Sequence, residues 1–280
     1  MKIFIHIGVH KTASTLIQTT MQANRKHLES SLLIIRDTHQ VVKNQLRKYV
    51  SGNLTLHKTK KIFNRVLSSA GPIENVVISD ENLLGAPASV FIMKEAKAVF
   101  YPNAKRRIER LESLFEGREV YYIVYTRQQE TLLLSLYLDG LKYFRYDMSP
   151  EEFIDRCMQS QVRFDQLLHK FDADRLIVQK FETIKSGSQT FISSYWQSIG
   201  VKSDDILPVP SDSANSAINS LQTEISRVIA REEYDGEVKV QLRKWLRHMP
   251  DIGNRQSKIV LSQHSIETIR QHYQDDITYR

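Results

Sequence analysis

Short apolar runs recur along the chain at Ile3 to Ile7, Leu32 to Ile35, Asn75 to Ser79, Val120 to Thr126 and Leu176 to Gln179. They are mostly continuous rather than alternating, which predicts strands buried on both faces, and the segments between them carry helical periodicity. Those helical patterns fall at about 13–28, 40–50, 58–69, 103–116, 128–143, 150–171 and 188–199. Ser149, Pro150 and the acidic pair Glu151 and Glu152 form a helix start, with Ser as the cap and Pro in the first helical position. Strands alternating with helices in this way predict an α/β fold with a doubly wound parallel sheet. From about residue 213 the pattern is helical, broken at Met249 to Asn254. The expected organisation is one domain over 1–280, an α/β core over 1–200 with a helical C-terminal extension over 201–280 packed on it. The sequence shows no internal repeat, low-complexity segment or linker.

Composition narrows the partner. Hydrophobic residues make up 41% and charged residues 25% of the 280 positions, as in ordinary globular chains. The first apolar stretch is interrupted by His6 and His10, and no run approaches the roughly 20 residues of a membrane span, so a cytoplasmic protein is expected. The single cysteine, Cys157, excludes an internal disulfide framework and a Cys-rich zinc site, and reads as a core or half-buried helix residue. Against 32 acidic residues stand 39 basic ones, a formal charge of +7 that favours an anionic partner. No DNA or RNA motif is present. The densest basic run, Lys105 to Arg110, leads into Leu111 and Leu114 at helical spacing and reads as a solvated helix face.

Two stretches carry chemistry. In "HIGVHKTAST", residues 6–15, a strand ends near Gly8, a tight loop brings Lys11, and a helix begins near Thr12. Such a helix start offers unpaired N–H groups and the positive end of the dipole. Lys11 adds a full charge, and the hydroxyls of Thr12, Ser14 and Thr15 add donors for an oxyanion. The blander reading is a helix capped by Thr12. The loop is not a Walker A motif, because Gly8 precedes Lys11 by three positions and no glycine adjoins the lysine. In "VYYIVYTRQQETLLLSLYLDG", residues 120–140, a buried strand delivers Arg127 to the carboxyl edge of the sheet, where open α/β folds bind ligands. Ser135 lies eight positions on, about two turns into the next helix, where it can assist the arginine with a second phosphate. A cation thus stands where a nucleotidase carries an acidic magnesium ligand.

Taken together, these stretches resemble the sulfotransferase family in its bacterial branch. "HIGVHKTAST" is similar to the family's 5′-phosphosulfate loop, HIGxxKTGTT, and "TRQQETLLLSLY" to its 3′-phosphate segment. Looser similarity extends through "RLIVQKFETI", "FISSYWQSIGV" and "NSAINSLQ", covers most of 1–200 and thins towards the C-terminus. Ala13 replaces the family's loop glycine, which restricts the backbone there. The resemblance implies a P-loop-type parallel sheet flanked by helices and transfer of a sulfuryl group from 3′-phosphoadenosine 5′-phosphosulfate (PAPS) to a hydroxyl or amine, with no metal. The implied acceptor is a saccharide, a glycan precursor or a small molecule. Lys11, Thr12, Ala13, Ser14 and Thr15 would hold the phosphosulfate, Lys11 would also stabilise the leaving oxygen, and Arg127 and Ser135 would read the 3′-phosphate.

A general base is still needed. "ISDEN" places Asp80 and Glu81 at another strand end, and Glu81 is the implied base, with Asp80 as an alternative and His10 read either as a ligand contact or as an alternative base. In the plainer reading both carboxylates cap a helix or form ion pairs. His6 is expected to point into the sheet, and His57, His169, His248, His264 and His272 show no partner in the sequence. Two further classes stay open: a divergent P-loop kinase or nucleotidase, which would need Mg²⁺ and tolerate nucleotides without a 3′-phosphate, and a non-catalytic nucleotide or polyanion-binding module.

Overall fold

A computed structural model describes residues 1–35, 40–87, 99–160, 162–208, 220–249 and 259–279. Residues 1–86, 101–127 and 164–214 make one compact unit, and residues 87–100, 128–163 and 215–280 make another.

The first unit is built on five strands: β1 (Lys2–His6), β2 (Leu32–Ile35), β3 (Asn75–Ser79), β4 (Glu119–Thr126) and β5 (Leu176–Lys180). They pair in the order β2-β3-β1-β4-β5, and every pairing is parallel. The predicted strands and their parallel arrangement hold to within one residue at each end. Continuous apolar runs form these strands because both faces are covered. Phe4, Ile34, Val77, Ile123 and Tyr125 join one buried cluster with α1 (Ser14–Asn24) and α8 (Ser188–Ser198), which contribute Leu16, Ile17, Met21, Phe191, Ile192, Tyr195 and Trp196. The alternate positions Ile3, Ile5, Val76, Ile78 and Val124 are equally buried. Three more helices, α2 (Gln40–Val50), α3 (Leu56–Ser69) and α4 (Ala104–Leu114), pack on one another in the same unit.

Register places the site. His6 is level with Ser79 of β3 and Ile123 of β4. The segments after β1, β3 and β4 therefore leave the same carboxyl edge, and Thr126 is level with Lys180 at the end of β5.

The second unit is helical in its described residues: α5 (Gln129–Leu141), α6 (Pro150–Gln159), α9 (Ser220–Arg231), α10 (Gly236–Arg247) and α11 (Gln263–His272). The Ser149 cap is present, its hydroxyl accepting from the Glu152 amide at 3.1 Å. Cys157 is buried in α6, where burial pushes its thiol pKa up, as its core reading requires. Gly140 is required for space: a Cβ there would lie 1.9 Å from the Tyr146 Oη, which donates to the Leu136 or Tyr137 carbonyl at 3.0 or 2.9 Å. None of the described helices is long and apolar enough to cross a membrane.

Two expected helix extents change, and so does part of the basic run. The helix foreseen over 150–171 is two, α6 and α7 (Phe164–Leu168), because Ser160 closes the first and the Val162 carbonyl turns to the Gln129 side chain at 3.0 Å. The first helix stops at Asn24 rather than 28, its amide donating to the Thr20 carbonyl and its Oδ1 accepting from the Leu207 amide at 2.7 Å. In the basic run, Lys105, Arg106 and Glu109 are solvated as expected, but Arg107 and Arg110 turn inward to backbone carbonyls. Most of the Met249 to Asn254 break and residues 215–219 of "NSAINSLQ" lie outside the described residues.

Candidate functional site

After β1 the chain passes through Gly8 into a turn and then α1. Two non-glycine residues here adopt left-handed backbone conformations, Lys11 with φ 70° and Ala13 with φ 62°. Ala13 stands at the cap position of α1 and no side chain caps the helix. Thr12 is therefore not the cap that a plain reading gives it. Its hydroxyl donates to the Val9 carbonyl at 2.6 Å, which closes the loop and leaves the Thr12 backbone amide as its remaining donor. Uncapped helix starts with such a curled backbone are a setting in which N–H groups can receive an anion.

The floor of the loop is polar and buried. The Ser14 Oγ and the His6 Nε2 are buried and have no hydrogen-bond partner. Both face Gly8: a Cβ there would lie 2.8 Å from the Ser14 Oγ and 3.3 Å from the His6 Nε2. Glycine is required at this position because any side chain would displace one of them. His6 points into the sheet as expected, its Nδ1 2.8 Å from the Ser79 Oγ and its ring edge-on to Tyr125 and Tyr195. Complete burial pulls its pKa down to about 3, so the ring is neutral. Thr15 is on the exposed side of the first turn of α1.

Arg127 follows β4 and its Nη1 donates to the Lys11 carbonyl, so the guanidinium fastens the loop to the neighbouring strand end. It lies over the Phe181 ring at 4.3 Å, and burial lowers its pKa to about 10 against the opposing pull of Glu182. Ser135 is half-buried on α5, in the second unit.

At the end of β3 the two carboxylates part company. Asp80 is buried, and Arg47 of α2 donates to both of its oxygens, at 2.6 and 2.7 Å. Asp80 also caps the short 3₁₀ turn Glu81–Leu83 by accepting from the Asn82 amide at 3.0 Å. The plain reading of a capping and ion-paired carboxylate thus applies to Asp80. Glu81 begins the turn, half-buried, and Arg107 holds the turn from behind through the Asn82 and Leu83 carbonyls at 3.1 and 3.3 Å.

Tyr101 reaches the loop from a distant part of the chain. Its hydroxyl accepts from the His10 backbone amide at 2.8 Å and lies 2.7 Å from the His10 Nδ1. Burial raises its pKa, and the Glu81 charge adds to that rise. Tyr101, Arg47 and Arg107 were not among the residues expected to act here. For Arg47 a signal exists, since Lys43 and Arg47 fall one helical turn apart beside the buried Val42 and Leu46. Tyr101 has none, because only the folded chain brings it to residue 10.

Of the residues named from sequence, Lys11, Thr12, Ala13, Ser14, Thr15, Glu81 and Arg127 lie at the carboxyl edge of one sheet, three strand ends contributing. Among the described residues no group of three or more His, Cys, Asp or Glu side chains could hold a metal ion.

No protein-family model matches the chain. A search of curated proteins by sequence finds no match either. Among solved structures the chain is similar to a sulfotransferase from Alicyclobacillus acidocaldarius, with a TM-score of 0.43 and 14% identity over 85% of this chain and 98% of that one. It is also similar to the sulfotransferase domain from the curacin biosynthetic pathway, with a TM-score of 0.41 and 13% identity over 97% and 96% of the two chains.

Proposed function

We propose that this chain transfers a sulfuryl group from PAPS to a hydroxyl or amine of a saccharide or small-molecule acceptor. The observation that carries this reading is the loop between β1 and α1. It is curled by Lys11 and Ala13, left uncapped, and floored by the buried, unpartnered Ser14 Oγ beside Gly8. Its donors fit a phosphosulfate: backbone N–H groups at the helix start, one hydroxyl aimed into the cradle and one ammonium. PAPS supplies an activated sulfuryl group on a phosphate that leaves as an anion.

Each residue then has a task. The loop amides and Ser14 hold the phosphosulfate. Lys11 neutralises charge that grows on the departing oxygen, which is the moment when a preplaced cation contributes most. Arg127 keeps the loop closed through the Lys11 carbonyl and reads the 3′-phosphate with its guanidinium charge. Glu81 accepts the proton of the attacking group, since the Asp80 oxygens are occupied by Arg47.

Calorimetry with adenosine 3′,5′-bisphosphate (PAP), the desulfated product, against ATP, each with and without Mg²⁺, tests the reading. PAP is expected to bind more tightly than ATP and without Mg²⁺. Replacing Arg127 by Ala is expected to weaken PAP about ten- to a hundredfold, the loss of one charge-assisted contact. Glu81→Gln is expected to bind PAP normally and to lose at least about a hundredfold in kcat once an acceptor is in hand. Equal affinity for PAP and ATP, or a strict need for Mg²⁺, overturns it in favour of a kinase or nucleotidase.

A further inference from the structure

We infer that the cleft between the α2–α3 turn and α4 binds an anionic saccharide, at a site that shares no lining residue with the β1–α1 loop. The cleft has a volume of about 630 Å³, within the roughly 300–1,000 Å³ of small-molecule sites. Its walls are preformed. Tyr49 lies in the last turn of α2, and Gly52 follows it in a left-handed conformation, φ 91°, that glycine adopts freely. The Gly52 amide donates to the Tyr49 carbonyl at 2.9 Å and the Asn53 amide to the Lys48 carbonyl at 2.7 Å. Arg110 of α4 pins both ends of the turn, its Nε donating to the Tyr49 carbonyl at 2.6 Å and its Nη2 to the Leu54 carbonyl at 3.1 Å. A turn bonded in this way needs no ordering to receive a ligand.

The lining suits a sugar. Thr55 caps α3 by accepting from the Lys58 amide at 3.5 Å, which leaves its hydroxyl hydrogen to donate. Asn53 gives one amide hydrogen to the Ser51 Oγ at 3.2 Å and keeps the other. The Ser113 Oγ donates to the Glu109 carbonyl at 2.9 Å and keeps its lone pairs. Tyr49 is the one aromatic among the described lining residues, and it is only 2% exposed, with the Arg110 guanidinium 4.3 Å from its ring centre. It offers no open face for a nucleobase to stack on, which sets this cleft apart from a polynucleotide groove.

Charge specifies an anion. Residues 38–73, which supply α2, α3 and the turn between them, contain seven Lys and Arg and no Asp or Glu. None of the described lining residues is acidic, and Arg110 keeps its Nη1 without a partner among the described residues. Arg106 stands beside the turn, its Nη2 3.4 Å from where a Cβ on Gly52 would lie. Lys48 and Lys58 are exposed, and their backbones bond directly to the lining residues Asn53 and Thr55. Elsewhere in the segment Arg47 is engaged by Asp80, and Lys60 pairs with Glu116 at 3.5 Å. On α4 the carboxylate of Glu109 is exposed. A sugar bearing a sulfate or a carboxylate matches both halves of this chemistry, its hydroxyls meeting Asn53, Thr55 and Ser113 and its anion the cations. The choice of a saccharide rests on the sulfuryl-transfer reading, whose acceptor class it narrows to acidic sugars. The same turn of α2 carries Arg47, which holds Asp80 next to Glu81.

Calorimetry of the full chain, with PAP added in excess to occupy the β1–α1 loop, tests the site against short dextrans that are sulfated, carboxymethylated or neutral, and against oligothymidylate. The anionic dextrans are expected to bind and the neutral one is not. Combining Lys48→Gln, Lys58→Gln and Arg106→Gln is expected to weaken that binding about ten- to a hundredfold and to lower its salt dependence by roughly one released ion per cation. A control with Lys26→Gln, Lys202→Gln and Lys244→Gln, which loses the same charge elsewhere in the chain, is expected to bind like wild type. Binding of either anionic dextran that only the first variant loses supports the site, and the tighter dextran names its anion. No binding of either one, equal losses in the two variants, or equal binding of the neutral dextran overturns the proposal. Oligothymidylate bound as tightly per charge and lost in the same variant overturns the saccharide in favour of a polynucleotide. If the wild type binds no PAP, the sulfuryl-transfer reading fails, while the two variants still decide the cleft.

Discussion

Ala13 carries a methyl group into a backbone conformation that glycine adopts without penalty, φ 62° and ψ 26°, at the uncapped start of α1. The left-handed region costs a residue with a Cβ about 1–2 kcal/mol, while glycine adds about 0.5–1 kcal/mol of unfolded-state entropy. Ala13→Gly is therefore expected to stabilise the chain by roughly 0.5–1 kcal/mol in urea unfolding. A loss of stability would mean that residue 13 is not left-handed in solution. His6 offers a second measurement. Its pKa is about 3 in the folded chain, against 6.5 when unfolded, so the unfolded state binds the extra proton. The stability that His6 contributes is complete above about pH 6.5 and is lost as pH falls towards 3, at up to about 1.4 kcal/mol per unit. Wild type should lose about 2 kcal/mol more than His6→Gln between pH 6.5 and 5, measured by denaturant titration at each pH. Equal slopes would place His6 in contact with water.

At the scale of elements, the turn after β3 depends on two arginines from different helices. Arg47 of α2 engages the buried Asp80, and Arg107 of α4 holds the carbonyls of Asn82 and Leu83. Removing Arg47 leaves a buried carboxylate without its counter-ion, an error that costs about 3 kcal/mol even with one end of the pair half-exposed. Arg47→Met is expected to lower stability by about that amount, and Asp80→Asn with Arg47→Met to recover part of it, since the pair is then removed together. A double variant no more stable than the single would show that the turn does not need the pair. The strands and most helices were legible beforehand because burial on both faces writes continuous apolar runs, and Ser149 with Pro150 writes a helix start. The end of α1 at Asn24 was not, because its amide bonds both to its own helix and to the Leu207 amide, 183 positions away. The inward turn of Arg107 and Arg110 was hidden for the same reason, since their partners are backbone carbonyls of distant segments.

At the scale of the molecule, the order β2-β3-β1-β4-β5 sets β1 between β3 and β4. The loop with Lys11, the turn with Glu81 and the guanidinium of Arg127 thereby share one edge. The carboxylate at the end of β3, Asp80, is engaged on both oxygens by Arg47, and the end of β4 carries Arg127 where a magnesium-dependent nucleotidase carries an acidic ligand. If the chain transfers sulfuryl groups as proposed, turnover is expected to proceed unchanged in a chelator, checked by following PAP release with and without added Mg²⁺. Activity abolished by chelation and restored by Mg²⁺ would reassign the chain to phosphoryl chemistry.

By itself the sequence determined the strands, the parallel α/β class and the loop that leads from β1 into α1, because each is written in neighbouring residues: an apolar run, a glycine before a lysine, hydroxyls at a helix start. Only the tertiary structure decided how the carboxylates and histidines divide. Asp80 rather than Glu81 is engaged by Arg47, Thr12 spends its hydroxyl on Val9 instead of capping α1, and His10 contacts a tyrosine 91 positions away. Hydrogen-bond partners of polar groups at a sheet edge come from segments far apart in the chain, and local pattern carries no record of which segments folding will bring together.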